Sequence, residues 1–252
     1  MPALMRLDNL RKSFGDIRAV DGISLAVEKG QVLGFLGPNG AGKSTTMKMA
    51  AGFLEPDDGK AFICGIDVFR DPVAAKARLG YLPEGAPSYG EMTVRGFLKF
   101  IGEVRGLRGA ALRSAIDKAV ERTRLGPVFG QTIETLSKGY RRRVGLAQAI
   151  LHEPPVLILD EPTDGLDPNQ KHQVRRLIRE MAADSAIIIS THILEEVPAV
   201  CDSAVIIAAG RVIASGAPDE LTEKVPQEAR GSLEQVFRHL TTGGPAEGSK
   251  AA

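Results

Sequence analysis

In the stretch GPNGAGKST, Gly37 to Thr45, two glycines with four residues between them precede a lysine and two hydroxyl side chains. That spacing suits a polyphosphate. Gly40 and Gly42 let the backbone wrap the anion, while the loop of Gly37, Pro38, Asn39, Gly40, Ala41 and Gly42 presents its free amides to the phosphate oxygens. Lys43 supplies a point charge to the β and γ phosphates, and Ser44, followed by Thr45, a hydroxyl to Mg²⁺. Average residue usage produces this pattern by chance in about one chain of this length in a hundred. Its surroundings also fit, with an apolar run, VLGFLG, before it and a helix-forming stretch, STTMKMAAGF, after it.

PVLILDEP, residues 155 to 162, is an apolar run ending in two adjacent acids. Two acids after a strand are often only a helix cap. Behind a phosphate loop in a parallel sheet, Asp160 can face the metal and Glu161 the water that attacks the γ phosphate, general-base work of about 10² to 10⁴ in rate. SAIIISTHILEEV, residues 185 to 197, places His192 after a further buried strand. A lone histidine is usually structural; at the C-terminal edge of an open sheet, where ligands bind, it becomes a candidate γ-phosphate sensor. In LSKGYRRRVGLAQAI, residues 136 to 150, Ser137 is a good helix N-cap, and Ser137 with Gly139 also makes an anion site. The run Lys138, Arg141, Arg142 and Arg143 reads as a solvated or partner-facing turn, because 32 Lys and Arg against 31 Asp and Glu leave a net charge of only +1 and no field for nucleic acid. In YLPEG, residues 81 to 85, Glu84 is either a solvated turn residue or part of a site.

Elements to position these groups follow from the pattern. Short apolar runs followed by helical segments predict a mostly parallel sheet covered by helices, an α/β core. Between Gly85 and Glu153 the pattern becomes helix after helix, with Thr93 capping VRGFLKFIGEV and an apolar-periodic segment from Ala110 to Leu125. The ending, TTGGPAEGSKAA, reads as disordered. No apolar run approaches the roughly 20 residues of a membrane span, and no secretory leader is evident. Cys64 and Cys201 read as buried small hydrophobes in a reducing cytoplasm.

Taken together and in order, these stretches resemble the ATP-binding cassette (ABC) proteins. GPNGAGKST is similar to the family's Walker A motif, LSKGY to its signature, VLILDE to Walker B, Gly165-Leu166-Asp167 to the D-loop and His192 to the switch histidine. The resemblance implies a P-loop NTPase with a RecA-like parallel-sheet core, an antiparallel β edge and an inserted helical subdomain. One domain is expected over 1–240: core and β edge at 1–84 and 153–222, helical subdomain at 85–152, C-terminal helix at 223–240, then a disordered tail at 241–252. It further implies a head-to-tail homodimer closing over two ATP molecules, with Ser137, Lys138, Gly139 and Asp167 working across the interface. Phe14 matches the family's adenine-stacking aromatic, though an ordinary core ring explains it nearly as well. Where the family's commonest signature is LSGGQ, Lys138 and Tyr140 stand here. Glu84 takes the place of a glutamine that touches Mg²⁺ and the attacking water; glutamate has almost the same reach, and a hard Mg²⁺ accepts carboxylate oxygen.

LSKGY together with YLPE most resembles the branch of drug, sodium, copper-maturation and gliding-motility exporters. That branch implies an ATPase at the cytoplasmic face of the membrane, driving a separate permease through the loop from Glu84 to Met92. Ala86, Pro87, Tyr89 and Met92 read as its exposed contact residues. The alternative is a soluble ABC ATPase acting on ribosomes or DNA. Such proteins show paired cassettes, a long coiled-coil insertion or zinc-type cysteines, none of which occurs in this sequence, and a GTPase would need a guanine-reading Asn-Lys-x-Asp.

Overall fold

The computed structural model describes residues 3–223 and 235–237. Its main sheet has six strands in the order β10-β9-β3-β8-β7-β6. These are β3 (Val32–Leu36), β6 (Leu79–Leu82), β7 (Val156–Asp160), β8 (Ala186–Thr191), β9 (Ser203–Ala208) and β10 (Arg211–Gly216). All neighbours pair in parallel except β9 and β10, which form a hairpin at one edge. The C-terminal ends of β6, β7, β8 and β3 therefore open onto one side of the sheet, the side on which parallel sheets bind ligands. A second sheet, β2-β1-β4-β5, is antiparallel. It is built from β1 (Met5–Phe14), β2 (Ile17–Val27), β4 (Asp58–Ile63) and the two-residue β5 (Ile66–Asp67).

The continuous apolar runs are explained by burial on both faces. Along β3, Val32 and Leu36 enter one core while Leu33 and Phe35 enter the other; along β7, Leu157 and Leu159 part in the same way from Val156 and Ile158. The period-2 geometry of a strand divides each run between two layers. The antiparallel sheet and α1 (Lys43–Ala50) lie on one side of the main sheet, and the helical segment lies on the other.

That helical segment consists of α3 (Val94–Val104), α4 (Gly109–Thr123) and α5 (Lys138–Ile150). Thr93 caps α3 by accepting from Gly96 N at 3.1 Å, a cap of about 1 kcal/mol. The helix expected over Ala110 to Leu125 ends earlier, because Arg124 turns left-handed at φ 54°. Against β6, α5 packs so closely that a Cβ on Gly145 would lie 2.7 Å from the Ala86 Cβ and 2.8 Å from Leu82. Ala86 is accordingly buried, 6% exposed, and not the surface contact its loop position suggested. Cys201 is buried as expected, while Cys64 is only half-buried.

The chain continues through α2 (Pro72–Ala77), α6 (Pro168–Ala182), α7 (Val197–Val200) and α8 (Pro218–Glu223). Of the expected helix over 223–240, residues 223 and 235–237 are helical and the rest lie outside the described residues, as does the expected disordered tail. Among the described residues no helix is long and apolar enough to cross a membrane.

His152, just past α5, ties the helical segment to β6: its Nε2 lies 3.1 Å from the Leu79 carbonyl. Burial first, and then the nearby Arg105, push this imidazole down from 6.5 to about 4. Between those values the unfolded chain binds the proton and the folded chain does not, so stability falls as pH drops through that window, by up to about 3 kcal/mol. We expect His152→Gln to flatten the decline of the urea midpoint between pH 7 and 4.5. Parallel declines for variant and wild type would refute this.

Candidate functional site

The phosphate-loop residues leave β3 and enter α1 through Gly42, whose φ of 102° only glycine adopts without strain. No side chain caps the N-terminus of α1. Its first amides are thus left for an anion. Pro38, Asn39 and Gly40 are exposed, Ser44 and Thr45 half-buried, and Gly37 and Ala41 buried beneath them. Lys43 folds back over this loop, donating to the carbonyls of Gly37 at 2.7 Å and Pro38 at 3.1 Å. Burial pulls the Lys43 ammonium below its usual range, opposed by the carboxylates of Glu161, Asp160 and Glu84.

Two strand ends supply those acids. Asp160 is the last residue of β7, 2% exposed, and burial raises its carboxyl, with Glu84 and Glu161 adding to the rise and Ser190 and Lys43 opposing it. Glu161 follows at φ 51°, a left-handed conformation costing a non-glycine residue about 1 to 2 kcal/mol. It is held there by its N–H, which donates to the Ser190 carbonyl at 2.9 Å. Its carboxylate accepts from the His192 N–H at 3.1 Å and from Thr191 Oγ1 at 3.3 Å, and lies 2.7 Å from His192 Nδ1. The turn after Glu161 is braced by Thr163, which donates to Glu196 Oε2 at 2.6 Å. Lys171 Nζ lies 3.0 Å from the other oxygen of Glu196.

Glu84 lies exposed on the turn after β6, among the groups whose charge acts on Lys43 and Asp160. Phe14, at the end of β1, is 51% exposed, which excludes the core-ring reading; Lys12 Nζ lies 5.9 Å from its ring centroid. Ser137 caps α5, accepting from Tyr140 N at 3.3 Å, and Asp167 caps α6, accepting from Gln170 N at 2.9 Å. Gly139 is buried, and a Cβ there would lie 2.7 Å from Gln170 Oε1. Within one chain these three residues serve local structure.

The basic run is corrected. Lys138 and Arg141 are exposed, but Arg142 and Arg143 are 4% and 8% exposed. A signal for this was present: Arg142 lies three residues after Gly139 and four before Leu146, on the face of α5 that the helical period turns inward. Asp164, which faces Lys138 and Arg142 and whose carboxyl Lys138 holds below the usual range, carried no such signal.

A phosphate loop on β3, paired acids ending β7 and a histidine after β8, in this strand order, define a phosphate-loop nucleoside triphosphatase. A match to the family described as ABC transporter covers residues 20–164. The chain is 37% identical over 234 residues to the probable multidrug ABC transporter ATP-binding protein YbhF of Escherichia coli, covering 92% of this chain and spanning 40% of that protein's length. It is 36% identical over 214 residues to the ABC transporter ATP-binding protein NatA of Bacillus subtilis, covering 84% of this chain and 87% of that one. It is also 37% identical over 224 residues to the Nod factor export ATP-binding protein I of Cupriavidus metallidurans, covering 88% and 74%. A solved ATP-binding subunit of an ABC transporter superposes with a TM-score of 0.86 at 31% identity, covering 94% of this chain and 99% of that one. The chain belongs to the ABC transporter family.

Because the His192 main-chain bond to Glu161 survives loss of the ring, His192→Ala should lower ATP turnover by about 10-fold with ATP binding retained. Steady-state phosphate release beside a nucleotide titration checks this, and an unchanged rate would remove the ring from the site.

Proposed function

We propose that this chain is the ATP-hydrolysing subunit of an exporter, driving a separate membrane permease from the cytoplasmic face through ATP-dependent closure of a head-to-tail homodimer. The observation that carries the catalytic part is Glu161, strained in its backbone and gripped by Thr191 and His192, beside the phosphate loop. A carboxylate held there can take the proton of a water whose oxygen attacks the γ phosphorus. The bond from that phosphorus to its bridging oxygen breaks, leaving ADP and phosphate. Lys43 and the α1 amides stabilise the charge on the phosphate oxygens.

The donor set fits Mg²⁺. Ser44 and the carboxylates of Asp160 and Glu84 offer hard oxygens, and burial raises Asp160 in a way that a divalent cation would relieve. Among the described residues no group of three or more His, Cys, Asp and Glu side chains could hold a metal alone. Mg²⁺ in phosphoryl transfer needs only one or two carboxylates beside the substrate's phosphates. When bound, it supplies Lewis-acid neutralisation of phosphate charge.

Ser137, Lys138 and Gly139 at the start of α5, with Asp167, are assigned to the opposing subunit's nucleotide, and Phe14 to the adenine ring. Support for the former comes from the exposure of Ser137 and the absence of acids in the first turn of α5. The permease is assigned to a groove between the core and the helical segment, bordered by Phe53, Tyr81, Pro87, Tyr89, Phe97 and Arg105. Phe53 and Tyr89 are 65% and 53% exposed, large aromatics that a partner would cover. Pro87 is exposed and Met92 half-buried, so three of the four expected contact residues remain with the partner after Ala86 is removed. Export is supported by the name of the Nod factor relative.

Glu161→Gln should cut steady-state hydrolysis by at least about 100-fold while ATP affinity holds, and should leave an ATP-dependent dimer visible by light scattering. Retained turnover would refute the base, and a monomer in saturating ATP would refute closure. Glu84→Ala should raise the Mg²⁺ concentration for half-maximal activity; an unchanged Mg²⁺ curve would return Glu84 to the solvated turn.

A further inference from the structure

Arg142 is a buried cation that the nucleotide chemistry does not use. Its Nη1 donates to the Pro83 carbonyl at 3.3 Å and to the Asp160 carbonyl at 3.5 Å, and its Nη2 lies 3.9 Å from Asp164 Oδ2. The same Asp164 oxygen accepts from Lys138 Nζ at 2.9 Å. Lys138 and Arg142 are one helical turn apart on α5, so a single carboxylate can face both. The side chain of Lys138 lies along the turn after β7, where a Cβ on Gly165 would come within 2.6 Å of its Cδ. One guanidinium thereby touches three loops: the turn before Glu84, the end of β7 before Glu161, and the turn carrying Asp164.

The choice of partners is informative. Arg142 takes main-chain carbonyls at Pro83 and Asp160, not the carboxylates of Asp160 or Glu161, and so fixes strand ends without occupying those acids itself. Burying a guanidinium costs several kcal/mol of hydration, and charge at this depth is weak evidence for stability alone. The planar fork of arginine, with donors in fixed directions, can hold separate loops at once, which a lysine cannot do. Gly145, three residues further along α5, presses on Ala86 of the same loop, so Arg142 holds by charge what α5 also holds by packing.

We propose that Lys138, Asp164 and Arg142 form a clamp within one chain, in which Arg142 is a positioning residue for ATP hydrolysis that sets the Glu84 loop against the Asp160–Glu161 strand end. The lysine that departs from the family's commonest signature thereby gains a role. It neutralises the outer side of Asp164 so that the carboxylate can stay beside the buried guanidinium.

The test uses the full chain with Arg142→Gln, Arg142→Lys, Asp164→Asn and the double variant Arg142→Gln/Asp164→Asn, followed by kcat, ATP affinity and melting temperature. Arg142→Gln should lower kcat by about 10- to 100-fold with ATP affinity changed less than about 3-fold, the split expected when an interaction acts mainly in the transition state. Arg142→Lys should restore the melting temperature without restoring kcat, which separates positioning from bulk stability. Asp164→Asn, at a half-exposed site, should fold normally and lower kcat by about 5-fold, and the double variant should be no slower than Arg142→Gln alone, as coupled residues behave. A wild-type kcat for Asp164→Asn, full recovery of kcat by lysine, or losses that multiply in the double variant would each overturn the clamp. If Arg142→Gln fails to fold, the Asp164→Asn and Arg142→Lys results still decide it.

Discussion

The burial of Lys43 among the carboxylates of Asp160, Glu161 and Glu84 is the interaction on which the other features of the site depend. Lys43, Asp160 and Glu161 are buried, and each charge alone would be expensive to hold away from water, while Glu84 acts from the exposed turn. The balance is uneven: three acids act through their charge on one lysine, whose own bonds go to the carbonyls of Gly37 and Pro38. The excess of acid is what a divalent cation beside the phosphates would relieve. A parallel sheet is the fold that gathers such groups, because β3, β8, β7 and β6 all release their C-terminal ends at the same edge.

Holding acids at that edge requires rigidity behind them. The post-β7 turn is fixed by Thr163 and Lys171 to Glu196, and the Glu161 carboxylate by the backbone of His192. The loop after β6 is fixed by close packing, since only glycine at position 145 leaves room for Ala86. Helix α5 therefore presents the N-terminus capped by Ser137 at one end and, through Gly145, supports the Glu84 loop further along. A displacement of α5 along its axis would reach both, because the helix is stiff over its 13 residues.

Much of the core was legible in the sequence because strands buried on both faces are apolar until their C-terminal ends, and VLGFL, VLILD and AIIIST advertise this. The chemistry at their ends was legible too, since Gly42, Lys43, Asp160 and Glu161 are fixed by spacing and by the strand before them. Pairing of β4 with β1 was not, because DGKAFI alternates weakly and its partners, from Arg11 for Asp58 to Met5 for Ile63, lie far earlier in the chain. Ala86 was misread because Pro83 and Gly85 mark a loop, and a loop residue is ordinarily exposed; its burial depends on Gly145, remote in sequence. Arg142 was misread by residue type, counting charge before helical phase.

Two signature residues and one of the D-loop illustrate why a motif and its local structure are hard to separate. Ser137 caps one helix, Asp167 caps another, and Gly139 lets Gln170 approach the first turn of α5. These bonds need no second subunit. Gln170, in the first turn of α6, lies against Gly139 in the first turn of α5, so that the two capped turns meet. A surface that binds phosphate across an interface needs that arrangement before the partner arrives, since ordering it on contact would subtract from affinity. In the proposed head-to-tail dimer these cis contacts would serve as preorganisation, the same side chains serving fold and interface in turn.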